Sequence, residues 1–314
     1  MTDAPNRTLA AAGAVLIYAV LIGFTDNFVR VIAADGGLWQ FHATRAAMAF
    51  GLLGVLAVPL GLRLWPKRPG AVLARSAIHG SAMLIYFGAL AFLPVAQVAA
   101  GLFTAPIFVL LIQRFAFGAA IRPLQILAVV VGFGGVVMVL GPAALSGARL
   151  AAALPVVSGA LYALGNIATR EWCGEETAET LLAGFFGMLG MFGVVGMIWL
   201  AAFPLAVPEG AAGFVQRGAV WPTGVFLWWT FVQAAGSMLG VGMVIKAYQM
   251  AEASRVSVFE YIILPASAAW GWLIWGEGLS GLAVAGMVLI AAAGVLIARQ
   301  SPTASRQWRR HSET

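Results

Sequence analysis

The sequence predicts an all-α membrane protein with ten transmembrane helices, arranged as two inverted five-helix repeats. Hydrophobic residues make up 61% of the 314 residues and charged residues only 10%. Soluble domains contain about 45–50% apolar and about 25% charged residues. Long apolar runs, separated by charges, glycines and prolines, are the other observation behind this prediction. A soluble core could not bury so much apolar surface, so lipid must cover most of it.

Ten apolar segments are long enough to cross the hydrocarbon core, which takes about 20 residues per helix. These runs are too continuously apolar for the strands of a membrane barrel. Most of the 18 Lys and Arg residues fall on the side of the N-terminus, which predicts a bacterial-type inner-membrane protein with both termini cytoplasmic. The predicted spans are residues 9–33, 37–61, 74–93, 95–117, 122–141, 150–170, 179–203, 221–247, 253–275 and 279–298.

The two halves of the chain resemble each other in their proline and glycine positions. One common offset places Pro106 on Pro265 and Gly135 on Gly294. Each half holds five spans, so the second half enters the membrane from the opposite side, a pattern typical of secondary transporters. The predicted organisation is a cytoplasmic N-terminus at 1–8, a first repeat at 9–141, a second repeat at 150–298 and a basic cytoplasmic tail at 299–314.

Ionisable side chains inside the spans are the main candidate site residues. A charge at a helix centre costs about 2.5–3.5 kcal/mol on insertion scales and usually faces a cavity. Glu260 could hold a substrate ammonium, exchange a proton, or form a structural ion pair with a neighbouring helix. Arg45 could bind a carboxylate or phosphate, extend to the membrane surface, or pair with Asp26. Arg30, one helical turn after Asp26, could neutralise that aspartate instead.

Aromatic and amide side chains within the spans complete the predicted substrate-binding set. Tyrosine rings suit a solute cavity, and amides hydrogen-bond without carrying charge, although either type can simply join helices. His42 and His79 are interpreted as ordinary polar contacts. The set predicted beside Glu260, Arg45 and Asp26 is Tyr86, Tyr162, Tyr261, Asn166, Gln97 and Gln233.

The second half also carries the motif order of a known family. Pro265 is followed by WGEGLS at 275–280 and then by the glycines Gly286 and Gly294. Because of the ten-span repeat and this motif order, residues 9–298 resemble the EamA-type family of the drug/metabolite transporter superfamily. The first half shares the proline and the glycine-rich helix but lacks the glutamate of that motif.

Two stretches narrow the resemblance. LWQFHATR at 38–45 resembles the start of the family's second helix, and FEYIILPASAAWGWLIWGE at 259–277 resembles the ninth helix of one subgroup. The subgroup includes carriers assigned to riboflavin, S-adenosylmethionine and amino-acid-like metabolites. The resemblance implies a secondary-active transporter of small polar organic metabolites, with amino acids or their relatives first and export favoured. An uptake carrier for riboflavin or S-adenosylmethionine-like cargo is the alternative.

Several protein classes lack support in the sequence. It contains no phosphate-binding loop for ATP and no catalytic set of loop residues. Its single cysteine and three scattered histidines offer no metal cluster, so no cofactor or metal is expected. A membrane-embedded enzyme or lipid-handling protein is the remaining alternative from another class.

The expected partners are a small-molecule solute, the lipid bilayer and protons as a candidate coupling ion, with no nucleic acid. The expected oligomeric state is monomer or homodimer.

Overall fold

Residues 7–89, 95–140 and 153–298 are described by the computed structural model. Within these ranges the chain is helical, with no strand, and helices occupy the described part of all ten predicted segments. The tail at 299–314 lies outside the described residues. The helices are α1 Thr8–Asp26, α2 Val29–Asp35, α3 Leu38–Leu60, α4 Pro69–Ala89, α5 Val95–Leu102, α6 Ala105–Phe117, α7 Pro123–Leu140, α8 Ala153–Glu171, α9 Ala178–Ala202, α10 Gly224–Met250, α11 Ala253–Phe259, α12 Ile263–Trp275 and α13 Gly281–Ala298.

Apolar helices of membrane-spanning length dominate the described part of the chain. Large apolar side chains such as Val58, Phe115 and Trp228 point outward and are exposed, as expected of helices surrounded by lipid. The protein is therefore a multi-pass membrane protein. Six spans are long and apolar enough by themselves, and two further apolar helices are shorter. The six are Thr8–Asp35, Leu38–Leu60, Pro123–Leu140, Ala178–Ala202, Gly224–Met250 and Ala253–Trp275, and the shorter two are Ala105–Phe117 and Gly281–Ile297.

Two predicted spans are broken at equivalent places. The span at 95–117 divides into α5 and α6 just before Pro106, and the span at 253–275 divides into α11 and α12 just before Pro265. Proline has no N–H to donate, and its ring clashes with the carbonyl four residues earlier. The helix therefore breaks within the preceding turn, and in the second case a short 3-10 turn at Glu260–Ile262 joins the pieces.

The first span is also broken, between α1 and α2. Here the amide of Asn27 donates from Nδ2 to the carbonyl oxygens of Gly23 at 2.7 Å and of Ser267 at 3.2 Å. The second of these bonds ties the end of α1 to α12. The break places Arg30 off the α1 helix, so the regular spacing of four residues from Asp26 no longer applies.

Helix pairing in the bundle follows the predicted repeat. Helix α1 packs on α10, and α8 packs on α4, while α3 pairs with α9 and α7 with α13. Exchanging the two halves maps this set of pairs onto itself, which supports the inverted repeat; the repeat itself stays a prediction.

At the α7–α13 crossing, a Cβ added to Gly135 would lie 2.7 Å from the carbonyl oxygen of Gly286. Only glycine allows the two backbones to approach so closely.

The face of the bundle where α1 begins, here called the N-terminal face, is closed by hydrogen bonds. The Arg170 guanidinium donates to the carbonyl of Ala251 at the end of α10. The Gln249 amide donates to the carbonyl of Glu176 at 2.8 Å. The Glu176 carboxylate in turn accepts from the backbone N–H of Arg68 at 2.7 Å. These bonds connect the ends of α8 and α10 with the start of α4.

The other end of the bundle, here called the opposite face, carries the long connection between α9 and α10. Arg217 in this connection donates to the carbonyls of Ala33 at 2.9 Å and Gly36 at 2.7 Å. Trp39 donates from Nε1 to the carbonyl of Val215 at 2.9 Å. The connection is thereby held against α2 and the start of α3, beside the opening described next.

Candidate functional site

An inner cavity of about 80 Å³ lies among the helices. It is lined by side chains from both halves of the chain, as expected of a site at a repeat interface. Three ionisable residues that the sequence singles out, Asp26, Arg45 and Glu260, all lie on its wall. Its remaining polar lining consists of Tyr18, His79, Tyr86, Tyr162, Gln233, Ser237 and Ser257.

An outer cavity of about 520 Å³ adjoins the inner one. The two share five lining residues, which therefore form the boundary between them: Asp26, Tyr86, Phe87, Phe103 and Ile263. The outer cavity is also lined by the end of α2, by Phe214 of the α9–α10 connection and by Glu277 after α12. It therefore leads from the inner cavity toward the opposite face.

One pole of the inner cavity, here called the Arg45 cluster, consists of Asp26, Gln233 and Arg45. Gln233 Nε2 donates to Asp26 Oδ1 at 2.8 Å, and Arg45 Nη1 donates to Gln233 Oε1 at 3.1 Å. Gln233 thus bridges the two charged groups, which make no direct ion pair. The Arg45 guanidinium also lies 4.9 Å from the ring centre of Phe41, an arrangement that stabilises a buried cation.

The alternative in which Arg30 neutralises Asp26 does not fit this geometry. Arg30 instead forms an ion pair with Glu277, with Nη1 3.0 Å from Oε1, and its guanidinium lies 4.1 Å from the ring centre of Trp275. The cause is the helix break after Asp26, which carries Arg30 to the rim of the outer cavity. Asp26 therefore interacts within the Arg45 cluster and not with Arg30.

The other pole, here called the Glu260 cluster, surrounds the turn between α11 and α12. The Glu260 side chain is buried, with 6% of the residue exposed, and the hydroxyls of Tyr162 and Tyr248 face its carboxyl group. Tyr18 lies beside Tyr162. Among the described residues no ion pair involves Glu260, and its Oε1 and the Tyr248 hydroxyl lack a well-formed hydrogen bond. This pole therefore holds a carboxyl group without a counter-ion.

Most of the predicted set lies at these two poles, but two described members, Tyr261 and Asn166, do not line the cavities. Tyr261 is buried elsewhere: a Cβ on Gly132 would lie 2.6 Å from its ring. Glu260 and Tyr261 are neighbours in the turn at 260–262, and their side chains point in different directions. Asn166 is buried behind Tyr248. The side chain of Gln97 lies outside the described residues.

Sequence reasoning misses two residues of the site. Tyr248, near the end of α10, carries no sequence signal beyond being one of only five tyrosines. His79 was expected to be an ordinary polar contact, yet it lines the inner cavity with its ring centre 4.8 Å from that of Tyr162. Its Nδ1 has no hydrogen-bond partner among the described residues, which is uncommon for a buried polar atom.

A buried polar cavity inside a bundle of apolar helices, open toward one face, has the form of a site for a solute in a membrane protein. Comparison with known proteins agrees with the resemblance that the motifs indicate. Residues 9–141 match the EamA-like transporter family.

Full-length relatives agree with this match. The chain is 26% identical to a riboflavin transporter of Rhizobium johnstonii, over 96% of this chain and 95% of the relative. It is 25% identical to the pseudopaline exporter CntI of Pseudomonas aeruginosa, over 90% and 95%. A solved crystal structure superposes with a TM-score of 0.74 over 94% of this chain and 98% of that chain, at 17% identity; this likeness concerns the fold alone. Both curated names are those of transporters, which supports a transporter role.

Proposed function

We propose that the protein is a secondary-active transporter of small polar organic metabolites that works by alternating access. The observation that carries the proposal is the uncompensated Glu260 carboxyl, buried on a cavity that is shared by both halves and opens toward one face. A charge of this kind inside a membrane is costly unless it binds something. Amino acids or their relatives are the first candidates, and export is the favoured direction.

The mechanism follows from the two faces. The N-terminal face, which the positive-inside rule places in the cytoplasm, is closed, so the described conformation is outward-facing in this proposal. Rocking of the two halves would break the hydrogen bonds from the backbone N–H groups of Lys67 and Arg68 in the first half to the Glu176 carboxylate in the second, and it would close the outer cavity. Glu260 would hold a solute ammonium or a coupling proton, and Arg45 a solute carboxylate. Tyr86 and Tyr162 would shape the walls, and the solute gradient or protons would supply the energy.

A direct test is counterflow in proteoliposomes with the Glu260→Gln variant. Glutamine keeps the shape of the side chain but can neither bind a proton nor carry charge. The titratable groups that face Glu260 are the weakly acidic tyrosines Tyr18, Tyr162 and Tyr248. The variant should therefore lose, or invert, the pH dependence of transport while staying folded. Glu209→Gln, in an exposed loop, is the matched control, and an unchanged pH–rate curve for Glu260→Gln would reject the proton role.

A larger cargo is the second candidate, because the outer cavity is roomy and its boundary is aromatic. Tyr86, Phe87 and Phe103 could stack on a flat ring system, and one relative is named a riboflavin transporter. A panel of radiolabelled solutes separates the two candidates, since flux confined to riboflavin would favour the second. Counterflow of any solute without chemical change would remove the alternative of a membrane-embedded enzyme or lipid-handling protein.

A further inference from the structure

We propose that the site selects an amine with an apolar or aromatic body, and that a carboxylate on the solute is not required. This inference rests on the proposed carrier function and narrows its substrate class. The protonated amino group would bind at the Glu260 cluster, and the body would extend through the boundary residues into the outer cavity.

The first argument is the balance of charge around the inner cavity. In the Arg45 cluster, the chain supplies its own anion, because Gln233 connects Arg45 to Asp26 by hydrogen bonds of 3.1 and 2.8 Å. In the Glu260 cluster it supplies no cation within the described residues. A buried charge without a partner is strongly unfavourable. The solute that best complements this cavity therefore carries one positive charge.

Hydrogen bonding at the Glu260 cluster also fits an ammonium group. Glu260 Oε1 and the oxygen of the Tyr248 hydroxyl, which faces the carboxyl group, are buried and make no well-formed hydrogen bond among the described residues, and each can accept one. An ammonium has three donors and no acceptor, so it can satisfy both at once. The rings of Tyr18 and Tyr162 line the same wall, and their faces attract a cation. A carboxylate placed here would repel Glu260.

The size of the solute follows from the two cavities. The inner cavity of about 80 Å³ holds an amino group and little more, whereas the outer cavity of about 520 Å³ holds a larger body. Three of the five residues at the boundary between them, Phe87, Phe103 and Ile263, are apolar, and the other two are Tyr86 and Asp26, whose carboxylate accepts from Gln233. An apolar or aromatic body crosses such a boundary without losing hydrogen bonds to water.

The test is binding of four probes to the full-length carrier, measured by thermal shift in detergent and by inhibition of counterflow in proteoliposomes. The probes are phenylalanine, its methyl ester, which keeps only the amine, N-acetylphenylalanine, which keeps only the carboxylate, and methylamine, which lacks the body. The ester should bind at least as tightly as phenylalanine. N-acetylphenylalanine and methylamine should each bind at least tenfold more weakly than the ester.

Two variants connect this selectivity to named groups. Glu260→Gln should weaken binding of the ester at least tenfold, and Tyr248→Phe, which removes one acceptor, should weaken it several-fold. Both variants should elute as folded protein. The control variant Glu209→Gln should bind the ester like the wild type. Equal binding of N-acetylphenylalanine and the ester would overturn the amine proposal and leave the carrier function standing. Failure of every probe and of a wider metabolite panel to enter by counterflow would overturn both.

Discussion

The N-terminal face and the rim of the outer cavity differ in the kind of interaction that holds them. At the N-terminal face, the Arg170 guanidinium and the Gln249 amide donate to backbone carbonyls at the helix ends. At the opposite face, the rim of the outer cavity carries an ion pair between Arg30 and Glu277, whose side chains are 48% and 55% exposed. One face is closed by partly buried hydrogen bonds, and the other is open beside a solvated ion pair.

The difference indicates which face controls the change of conformation. A hydrogen bond from a charged donor contributes about 1.5–3 kcal/mol, whereas an exposed ion pair contributes about 0–1 kcal/mol. Breaking the Arg170 bonds therefore costs more free energy than breaking the Arg30–Glu277 pair. In the proposed transport cycle, solute binding would have to offset the opening of the N-terminal face, so variants of Arg170 and of the rim pair should have unequal effects.

Cys173 is a natural reporter of the closed face. It is the only cysteine of the chain, it is buried, and its carbonyl accepts from Gln249 at 3.3 Å. Burial raises the pKa of its thiol, although the nearby Arg75 guanidinium acts in the opposite direction. The thiolate is the reactive form, so labelling by a maleimide should be slow while this face is closed and faster once water reaches the thiol.

The largest expected effect is that of Arg170→Ala. The change removes a charged donor from the carbonyls at the end of α10, where the helix dipole also favours a cation. Losing about 1.5–3 kcal/mol of stabilisation should raise the labelling rate of Cys173 by about ten- to hundredfold. The rate is measured by mass shift with a maleimide in proteoliposomes. Arg170→Lys, which keeps the charge, should give a smaller increase, and Cys173→Ser should give no label.

An unchanged labelling rate in a folded Arg170→Ala protein would contradict the idea that this residue closes the face. Folding is checked by thermal unfolding of the same sample. Arg170 also lies near Glu171, with 3.7 Å between Nε and Oε1. Glu171→Gln is therefore a useful second control, because it removes that exposed partner and keeps the bonds to the carbonyls.

An intermediate effect is expected for Gln249→Met. Methionine keeps the length of the side chain and loses the donor that connects α10 to the carbonyls of Cys173 and Glu176. Neutral hydrogen bonds contribute about 0.5–1.5 kcal/mol each, so the labelling rate of Cys173 should rise several-fold. A rate equal to that of Arg170→Ala would show that charge on the donor is unimportant at this face.

Sequence alone predicts the helices and singles out three ionisable residues that line the inner cavity, because both follow from the physics of burial in lipid. Apolar length defines the spans, and the cost of an ion in hydrocarbon singles out Asp26, Arg45 and Glu260. The interruption of three of the spans is not predicted, although Pro106 and Pro265 are the physical cause in two of them. What the sequence could not supply is the partner of each polar group. Gln233 bridges two charges from a distant helix, and Tyr248 meets Glu260 only because α10 and α11 fold back on one another.

The smallest expected effect is at the rim of the open face, in Arg30→Ala and Glu277→Gln. Their ion pair is exposed and screened by salt, and the contact of Arg30 with Trp275 adds little where water competes. Each variant should change the labelling rate of Cys173 less than about twofold, within the about 0–1 kcal/mol of an exposed pair. The double variant should match the single ones, since either change removes the whole pair. Should rim variants alter labelling as strongly as Arg170→Ala does, closure of the N-terminal face could not be the dominant step, and the two faces would have to be coupled through the bridging helices α1 and α12.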